Sequence, residues 1–201
     1  MSKTRKIQMR QESLYKYIDA LIDTNSRLNV VRLDLYYRQE NRDKISLESF
    51  NKDINHLNFN KRSNSIFKNI KGYIVKIEQG DNGYNHLHAH AMFFINGQKS
   101  KERSSIKIAS DIGDYWKNVI TKGKGIYHNC NLNQYKENAL GRINYNDDKK
   151  IELLKQNVAS YLCKGEQSIT APDGSNIRAI RRGIIPKKGN RGRPRKNQND
   201  V

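Results

Sequence analysis

The stretch GYIVKIEQGDNGYNHLHAHAMFFING, residues 72–97, decides how the rest of the sequence is read. Two runs of alternating, β-forming residues, Tyr73–Glu78 and His86–Ile95, flank the segment QGDNGYN. Alternation is typical of strands, and Gly, Asn and Asp favour the tight turns between them. The stretch therefore predicts a β-hairpin.

Three of the chain's five histidines alternate along the second run, at His86, His88 and His90. Side chains alternate between the two faces of a strand, so the three imidazoles share one face and the apolar residues between them form the other. Pairing of the two strands places Glu78 on the histidine face, close to the turn. One face of the hairpin is therefore apolar and suits helix packing, while the other collects ionisable groups.

Strand geometry limits which of these groups can bind one ion. Residues two apart on a strand lie about 6.6 Å apart, and residues four apart lie about 13 Å apart. Two adjacent histidines can therefore converge on a metal, and His88 belongs to either pair. Glu78 is the best candidate for a third ligand, with His86 and Asp34 as further candidates. Two imidazoles and a carboxylate suit Mn²⁺ or Mg²⁺, and they also attract Zn²⁺.

The charge of the chain indicates the kind of partner. Its 201 residues carry a formal net charge of +18, which favours a polyanion because a basic surface attracts phosphates and releases counterions. The longest apolar run, Ala91–Ile95, is far shorter than the roughly 20 residues that span a bilayer. The two cysteines give no disulfide framework, so the cytoplasm is the expected location.

The run RLNVVRLDLYY, residues 27–37, also alternates and predicts a strand. Arg32 and Asp34 share one face of it, and that face could be the histidine side of the sheet. We expect Arg32 and Lys76, the latter from the hairpin, to contact DNA phosphate. The same polar pattern also fits a solvated strand face, or histidines that contact phosphate without a metal.

Helical spacing of apolar residues predicts four helices, and the second, in SLESFNKDINHLNF, residues 46–59, has Ser46 as a candidate N-cap. The predicted inward-facing residues are Leu14, Tyr17, Ile18, Leu21 and Ile22; Leu47, Phe50, Ile54 and Leu57; Ile108, Ile112, Trp116 and Val119 or Ile120; and Ile151, Leu154 and Val158. GIYHNCNL, residues 125–132, is predicted to be a strand, and GRINY, residues 141–145, a short one. Without the first helix, at Glu12–Asp23, the order is β-α-β-β-α-β followed by a helix. That order predicts an α+β fold with a ferredoxin-like split βαβ antiparallel sheet.

The last predicted helix ends in YLCK, where Tyr161 and Lys164 are three residues apart and lie on the same helix face. A tyrosine beside a metal could attack a phosphate and form a covalent phosphotyrosine, and the lysine could stabilise charge. The motif alone is weak, because most of the chain's 11 tyrosines must be packing or surface residues. It gains weight from the histidine strand that precedes it.

The two motifs, in this order on this predicted fold, resemble the HUH endonuclease superfamily of rolling-circle replication initiators, relaxases and related transposases. More narrowly, RLNVVRLDLYYR, NHLHAHAMFFING, DYWKNVITKGKGIYH and NVASYLCKGEQS look like the YagK/YfjJ C-terminal domain family, which includes inovirus-type phage replication proteins. The similarity runs from about Leu14 to Pro186. It implies that the protein nicks a DNA strand and stays attached to the 5′ end through a tyrosine.

Carried over residue by residue, the resemblance places the metal-binding histidine pair at His88 and His90, the nucleophile at Tyr161 and the lysine at Lys164. His86 becomes an extra neighbour of the pair. The chain departs from the family pattern in having a small alanine at Ala89 and a single tyrosine in YLCK. A single-tyrosine enzyme needs another route to finish termination, such as a second subunit or a water. No helicase motif follows, so a host helicase and polymerase are expected partners.

Composition divides the chain into three parts: a basic segment at residues 1–11, one domain at 12–185 and a basic, disordered tail at 186–201. The tail contains NRGRPRK, which has the Arg-Gly-Arg-Pro pattern of an AT-hook that binds the A·T minor groove. Its predicted DNA contacts are Arg191, Arg193, Arg195 and Lys196. The favoured alternative is a generic basic tail that adds phosphate affinity without sequence preference.

The sequence therefore predicts a nickase that starts rolling-circle replication of a phage or mobile element on single-stranded or origin DNA. Two other functions remain open. One is a non-catalytic, nucleic-acid-binding prophage regulator on the same fold. The other is a metal-dependent nuclease that uses activated water and forms no covalent adduct. The nick site, the physiological metal and the oligomeric state do not follow from the sequence.

Overall fold

A computed structural model describes residues 2–60, 64–80, 87–99, 104–163, 169 and 178–187, with the side chains of residues 3, 59 and 158–160 left out. The helices are α1 (Lys3–Thr24), α2 (Gln39–Arg42), α3 (Leu47–Phe59), α4 (Ser105–Tyr115), α5 (Asp148–Leu153) and α6 (Ser160–Cys163). The strands are β1 (Arg27–Tyr37), β2 (Ile70–Gln79), β3 (Leu87–Asn96), β4 (Gly125–Asn129), β5 (Gly141–Asn144) and β6 (Ile180–Arg182). π-helical turns at Trp116–Ile120 and Leu154–Ala159 continue α4 and α5. Short 3₁₀ turns lie at Ser65–Phe67 and Cys130–Leu132.

The strands form one six-stranded antiparallel sheet in the order β4-β1-β3-β2-β6, and β5 pairs with the first part of β1. The predicted hairpin is confirmed as β2 and β3, which pair from Gln79 and Leu87 onward. The predicted α+β class and the antiparallel sheet are also confirmed. The two central strands, β1 and β3, lie directly beside each other.

The apolar face of the hairpin packs against α3 and α4, as the sequence predicts. Ser46 caps α3, because its hydroxyl accepts a hydrogen bond from the backbone N–H of Ser49. The residues buried between this face and these helices include Val31, Leu33, Leu35, Phe50, Ile54, Val75, Ile77, Ala89, Ala91, Phe93, Ile108, Ile112 and Trp116. The choice left open between Val119 and Ile120 is resolved: Ile120 is buried, and the side chain of Val119 is 48% exposed.

The opposite face of the sheet is covered in part by α1 and by the C-terminal helices. α1 begins at Lys3, well before the predicted start at Glu12, because Ser2 caps it by accepting a hydrogen bond from the N–H of Arg5. The buried residues of this second core include Leu14, Tyr17, Ile18, Leu21, Val30, Ile74, Met92, Phe94, Ile151, Leu154 and Leu162. The side chain of Val158, predicted to belong to this stripe, is outside the described residues.

The histidine face is therefore divided along its length. Met92 and Phe94, on the same face of β3 as the histidines, are fully buried beneath the second layer of helices. The polar groups occupy the other end of the face, near the β2–β3 turn. Alternation predicts the members of the face correctly, but it does not show that helices cover half of it.

A strand that the sequence did not predict completes one edge of the sheet. β6 pairs with β2 opposite Ile74, Val75 and Lys76. It contains only three residues, two of them arginine, so it shows no apolar alternation from which a strand could be predicted. In the described part of the chain, no helix combines the length and the apolar character that crossing a bilayer requires.

Candidate metal centre and the adjoining tyrosine

The strand register brings five ionisable side chains together on one face. Asp34 of β1, His90 of β3 and Lys76 of β2 are direct cross-strand neighbours, and Glu78 and His88 form the next pair along the hairpin. Neighbours on adjacent antiparallel strands project from the same face of a sheet. The register therefore agrees with the predicted parity, which placed Glu78 and Asp34 on the histidine side.

Three of these side chains converge on one point. The Nε2 atoms of His88 and His90 each lie 3.3 Å from Oε2 of Glu78. Two ligand atoms bound at about 2.1 Å to one ion lie about 3.0–3.4 Å apart in octahedral or tetrahedral geometry. Among the described residues, Glu78, His88 and His90 form a group whose ligand atoms all lie within 4.8 Å of one another. This group could hold a metal ion.

Asp34 has a different position from the one expected of a direct ligand. Its Oδ1 atom lies 2.6 Å from Nδ1 of His90, the ring nitrogen on the opposite side from Glu78. An Nδ1–H that donates to Asp34 leaves the lone pair on Nε2, as metal binding requires. Burial alone favours neutral forms here, but the hydrogen bond to His90 lowers the pKa of Asp34 and raises the pKa of His90. Asp34 therefore orients His90 and does not face the ligand group.

Lys76 is buried within the site, contrary to the expectation that it contacts DNA. Its side chain is 4% exposed, and its ammonium group pairs with Oε1 of Glu78. The Lys76 side chain therefore offers almost no exposed surface to a phosphate. Burial raises the pKa of Glu78, but hydrogen bonds from His88, His90 and Lys76 outweigh burial and lower it overall. Lys76 thus keeps Glu78 ionised and occupies one of its two oxygens.

Arg32, also expected to contact DNA, lies mostly inside the site. Its Nη2 atom is 3.3 Å from Oδ1 of Asp34, and its guanidinium carbon is 5.1 Å from the centre of the Tyr161 ring. The arginine side chain is 16% exposed. Arg32 therefore pairs with Asp34 and contacts the ring of Tyr161, and most of the arginine side chain is covered by protein.

Tyr161 lies next to the candidate metal centre. Its ring centre is 5.7 Å from that of His90, with the ring planes at 70°, and the tyrosine is 48% exposed. In a continuous α-helix Tyr161, seven residues after Leu154, would lie about 20° from it and so on the buried stripe. The π-helical turn at Leu154–Ala159 shifts this phase, so that Leu162 is buried and Tyr161 faces the site.

Tyr36 belongs to the site although the sequence reading did not select it. Its ring is stacked on that of His88, with 5.8 Å between centres and an interplanar angle of 16°. Burial, followed by the nearby charge of Asp34, raises the pKa of Tyr36 to about 12. The signal was present in the sequence, because Tyr36 shares the face of Arg32 and Asp34 in the alternation of β1.

Several predicted site residues lie outside the described part of the chain. These are His86, Lys164 and the four basic residues of the tail, Arg191, Arg193, Arg195 and Lys196. Their predicted roles stay predictions. Among the described residues, the structure brings together Arg32, Asp34, Lys76, Glu78, His88, His90 and Tyr161.

No protein-family model, no curated protein and no solved structure matches the chain significantly. The described residues of the site provide a carboxylate and two imidazoles that could hold a metal ion, with an exposed phenol at their side.

Proposed function

We propose that this protein is a metal-dependent DNA-nicking enzyme that uses Tyr161 as its nucleophile. The observation that carries the proposal is the contact between the Tyr161 ring and His90. His90 belongs to the group that could hold a metal ion, and the phenol is exposed enough to meet a substrate. A nucleophile beside a metal-binding group is one arrangement that supports attack on a phosphate.

The fold and the charge support the same proposal. Strands β4-β1-β3-β2 have the order of a ferredoxin-like split βαβ sheet, the fold of the HUH endonucleases that the sequence resembles. The histidine pair lies on the central strand β3, and the tyrosine comes from a C-terminal helix. The formal net charge of +18 suits a polyanionic substrate.

In the proposed reaction, the phenol oxygen of Tyr161 forms a bond to the scissile phosphorus. The bond from phosphorus to the 3′ oxygen breaks, and the released 3′ oxygen takes up a proton. The phenol proton passes to water, which reaches Tyr161 because the side chain is half exposed. The products are a 5′-phosphotyrosine and a strand with a free 3′ hydroxyl that a polymerase can extend.

The metal in this proposal is Mn²⁺ or Mg²⁺, held by His88, His90 and Glu78. When bound, the ion polarises the scissile phosphate and stabilises charge on the leaving oxygen. Asp34 orients His90, and Lys76 holds Glu78 so that its Oε2 atom faces the histidines. This role for Lys76 replaces the direct DNA contact expected from the sequence.

The proposed biological role rests on the sequence resemblance to rolling-circle replication initiators. We propose that the enzyme initiates rolling-circle replication of a phage or mobile element of the YagK/YfjJ type, in the cytoplasm of a bacterial host. Single-stranded or origin DNA is the substrate, and a host helicase and polymerase are the partners. The basic tail is proposed to hold the protein on DNA and not to take part in the chemistry.

The test is the formation of a covalent protein–DNA adduct. Labelled single-stranded oligonucleotides that tile the replicon encoding the protein are incubated with the full chain and Mn²⁺, and the products are separated on a denaturing gel. We expect an adduct on a discrete set of oligonucleotides with wild type and with Tyr145→Phe, but none with Tyr161→Phe. Tyr145 is a fair control because its side chain is 38% exposed, close to the 48% of Tyr161.

The same assay separates the other two functions. Cleavage without an adduct that survives Tyr161→Phe would indicate a nuclease that uses activated water. Binding without cleavage on every tiled oligonucleotide would indicate a non-catalytic regulator. An adduct of equal yield with Tyr161→Phe would show that another residue is the nucleophile.

A further inference from the structure

We infer that Arg32 is a positioning residue that holds Tyr161 against the candidate metal centre, and not a contact for DNA phosphate. This role presupposes the proposed function, in which Tyr161 attacks DNA. It differs from the role expected from the sequence, where a basic residue on the site face suggested phosphate binding. The contacts of Arg32 on both sides of its guanidinium group carry the inference.

On one side, Arg32 is anchored to the central strands. Its Nη2 atom lies 3.3 Å from Oδ1 of Asp34 and 3.3 Å from Nδ1 of His90. Asp34 therefore accepts from both the arginine and the histidine that it orients. Because β1 and β3 pair directly at Asp34 and His90, the position of the guanidinium group is set by the most central part of the sheet.

On the other side, Arg32 faces the ring of Tyr161. The distance of 5.1 Å from the guanidinium carbon to the ring centre is within the range of a cation–π contact, which extends to about 6 Å. The edge-to-face contact with His90, at 5.7 Å and 70°, meets the same tyrosine ring. Arg32 and His90 thus hold one exposed ring from two adjacent strands.

The charge and the burial of Arg32 argue against a phosphate-binding role. Asp34 already balances the guanidinium charge at 3.3 Å, and the arginine side chain is only 16% exposed. Its Nε atom is buried and has no hydrogen-bond partner within the described residues, so a phosphate oxygen outside cannot reach it. The guanidinium carbon lies 5.1 Å from the centre of the Tyr161 ring, so this ring covers a further part of the group.

Arg32→Lys separates the two roles. Lysine keeps the positive charge that a phosphate contact needs, but it lacks the planar group that can bind Asp34 edge-on and cover an aromatic ring with its face. A positioning role therefore predicts that Arg32→Lys reacts slowly while DNA affinity is preserved. A phosphate contact predicts that Arg32→Gln weakens DNA binding and that lysine restores it.

The kinetic experiment uses the full chain with Mn²⁺ and an oligonucleotide on which wild type forms the adduct. We expect the single-turnover rate of adduct formation to fall about 10- to 100-fold in both Arg32→Lys and Arg32→Gln, because a misplaced reacting group costs this much. The Kd for the same oligonucleotide and its salt dependence are measured in a Tyr161→Phe background and should stay within about twofold. Arg142→Gln is the control, since Arg142 is an exposed arginine of the same sheet.

A second measurement, ¹⁹F NMR of Tyr161, does not depend on adduct formation. The chain is labelled with 3-fluorotyrosine, and the ¹⁹F resonance of Tyr161 is assigned by its loss in Tyr161→Phe. We expect both Arg32 variants to shift that resonance and to leave the resonance of Tyr145 in place. This arm remains readable if wild type forms no adduct, so a failure of the proposed function is distinguished from a failure of the inference.

Two results would overturn the inference. One is a Tyr161 resonance that neither Arg32 variant moves. The other is a loss of DNA affinity in Arg32→Gln, with the slope of log affinity against log salt reduced by about one, that Arg32→Lys restores together with the rate. If Arg32→Gln does not fold, Arg32→Lys alone decides between slow chemistry at normal affinity and normal chemistry.

Discussion

Asp34 contacts His90 at its Nδ1 atom, which lies 2.6 Å from a carboxylate oxygen of Asp34. The contact joins the two central strands at residues that are direct cross-strand neighbours. It leaves Nε2 of His90 on the side of Glu78, where Nε2 of His88 also points. Asp34 therefore orients His90. The carboxylate of Glu78 lies beside Nε2 of both histidines, where one metal ion could bind all three side chains.

Asp34→Asn should weaken metal binding. An asparagine keeps the shape of the side chain but loses the charge that polarises His90, and such neighbours of a ligand typically account for about 10- to 100-fold in metal affinity. Isothermal titration with Mn²⁺ measures the change. The control is Asp114→Asn, because Asp114 accepts a hydrogen bond from Tyr127 on the opposite layer of the fold. Equal affinities of wild type and Asp34→Asn would contradict the orienting role.

Glu78→Gln should reduce both stability and metal binding. The change removes the carboxylate that pairs with buried Lys76, and breaking a buried ion pair costs about 3–5 kcal/mol in the free energy of unfolding. Adding Lys76→Met also removes the buried positive charge, so the double variant should recover part of this loss. Urea unfolding in the presence of EDTA measures these energies.

Metal binding is then read separately, as the rise in Tm when Mn²⁺ replaces EDTA. Wild type should show the rise because a ligand that binds only the folded state stabilises it. Neither Glu78→Gln nor the double variant should show it. A rise that persists in the double variant would remove Glu78 from the ligand group.

Deleting Gln156 should leave Tyr161 active. A π-helical turn holds one residue more than the α-helical turn it replaces, so loss of exposed Gln156 lets the segment close to a regular α-helix in which Tyr161 still faces His90. The yield of covalent adduct should therefore stay near that of wild type. Inserting one alanine after Gln156 instead turns Tyr161 by about 100° around the helix axis, and the yield should fall below detection. Loss of the adduct in the deletion variant, or full activity of the insertion variant, would show that the π turn does not set the direction of the tyrosine.

The free energy of unfolding should decrease at alkaline pH because of the titration of Tyr37. Burial, together with the hydrogen bond that its hydroxyl donates to Asp53, raises the pKa of Tyr37 well above its ordinary value. The unfolded chain releases this proton near pH 10, as free tyrosine does at about that pH. The contribution of Tyr37 to the free energy of unfolding is therefore fully present below pH 10. It is lost as the pH rises toward the pKa of Tyr37 in the folded state.

Tyr37→Phe removes this titration. Its free energy of unfolding, measured by urea at pH 8, 10 and 11, should decline less steeply above pH 10 than that of wild type. Tyr145→Phe, which alters a half-exposed ring, should keep the wild-type slope. Identical slopes in wild type and Tyr37→Phe would contradict the protonated, buried state of Tyr37.

Local periodicity was sufficient to predict much of the fold and of the site. Alternation in β1, β2 and β3 places Asp34, Glu78, His88 and His90 on one face, and the register bears this out. The apolar spacing of α3 and α4 predicts the helices that cover the other face. These are properties of short segments, which is why they can be read from the chain directly.

The remaining features depend on contacts between distant segments. Lys76 and Arg32 have the sequence signature of exposed basic residues. Each pairs with a carboxylate two residues further along its own strand, Glu78 and Asp34 respectively, but both are covered by packing that involves distant parts of the chain. β6 forms because β2 offers an open edge, and not because of its own composition. The π turn before Tyr161 places Leu162 rather than Tyr161 directly in line with Leu154, and the spacing of apolar residues does not show where such a turn occurs.

The most direct test of the central claim is mass spectrometry of the DNA-linked peptide. After reaction with a tiled oligonucleotide and Mn²⁺, the adduct is trimmed with nuclease and digested with trypsin, which releases QNVASYLCK, residues 156–164, with Tyr161 as its single tyrosine. We predict that this peptide carries the mass of a 5′-linked nucleotide when Mn²⁺ is present and not when EDTA replaces it. Nicked DNA with an unmodified peptide, or a nucleotide on another tyrosine, would contradict the assignment of Tyr161 beside the Glu78–His88–His90 group.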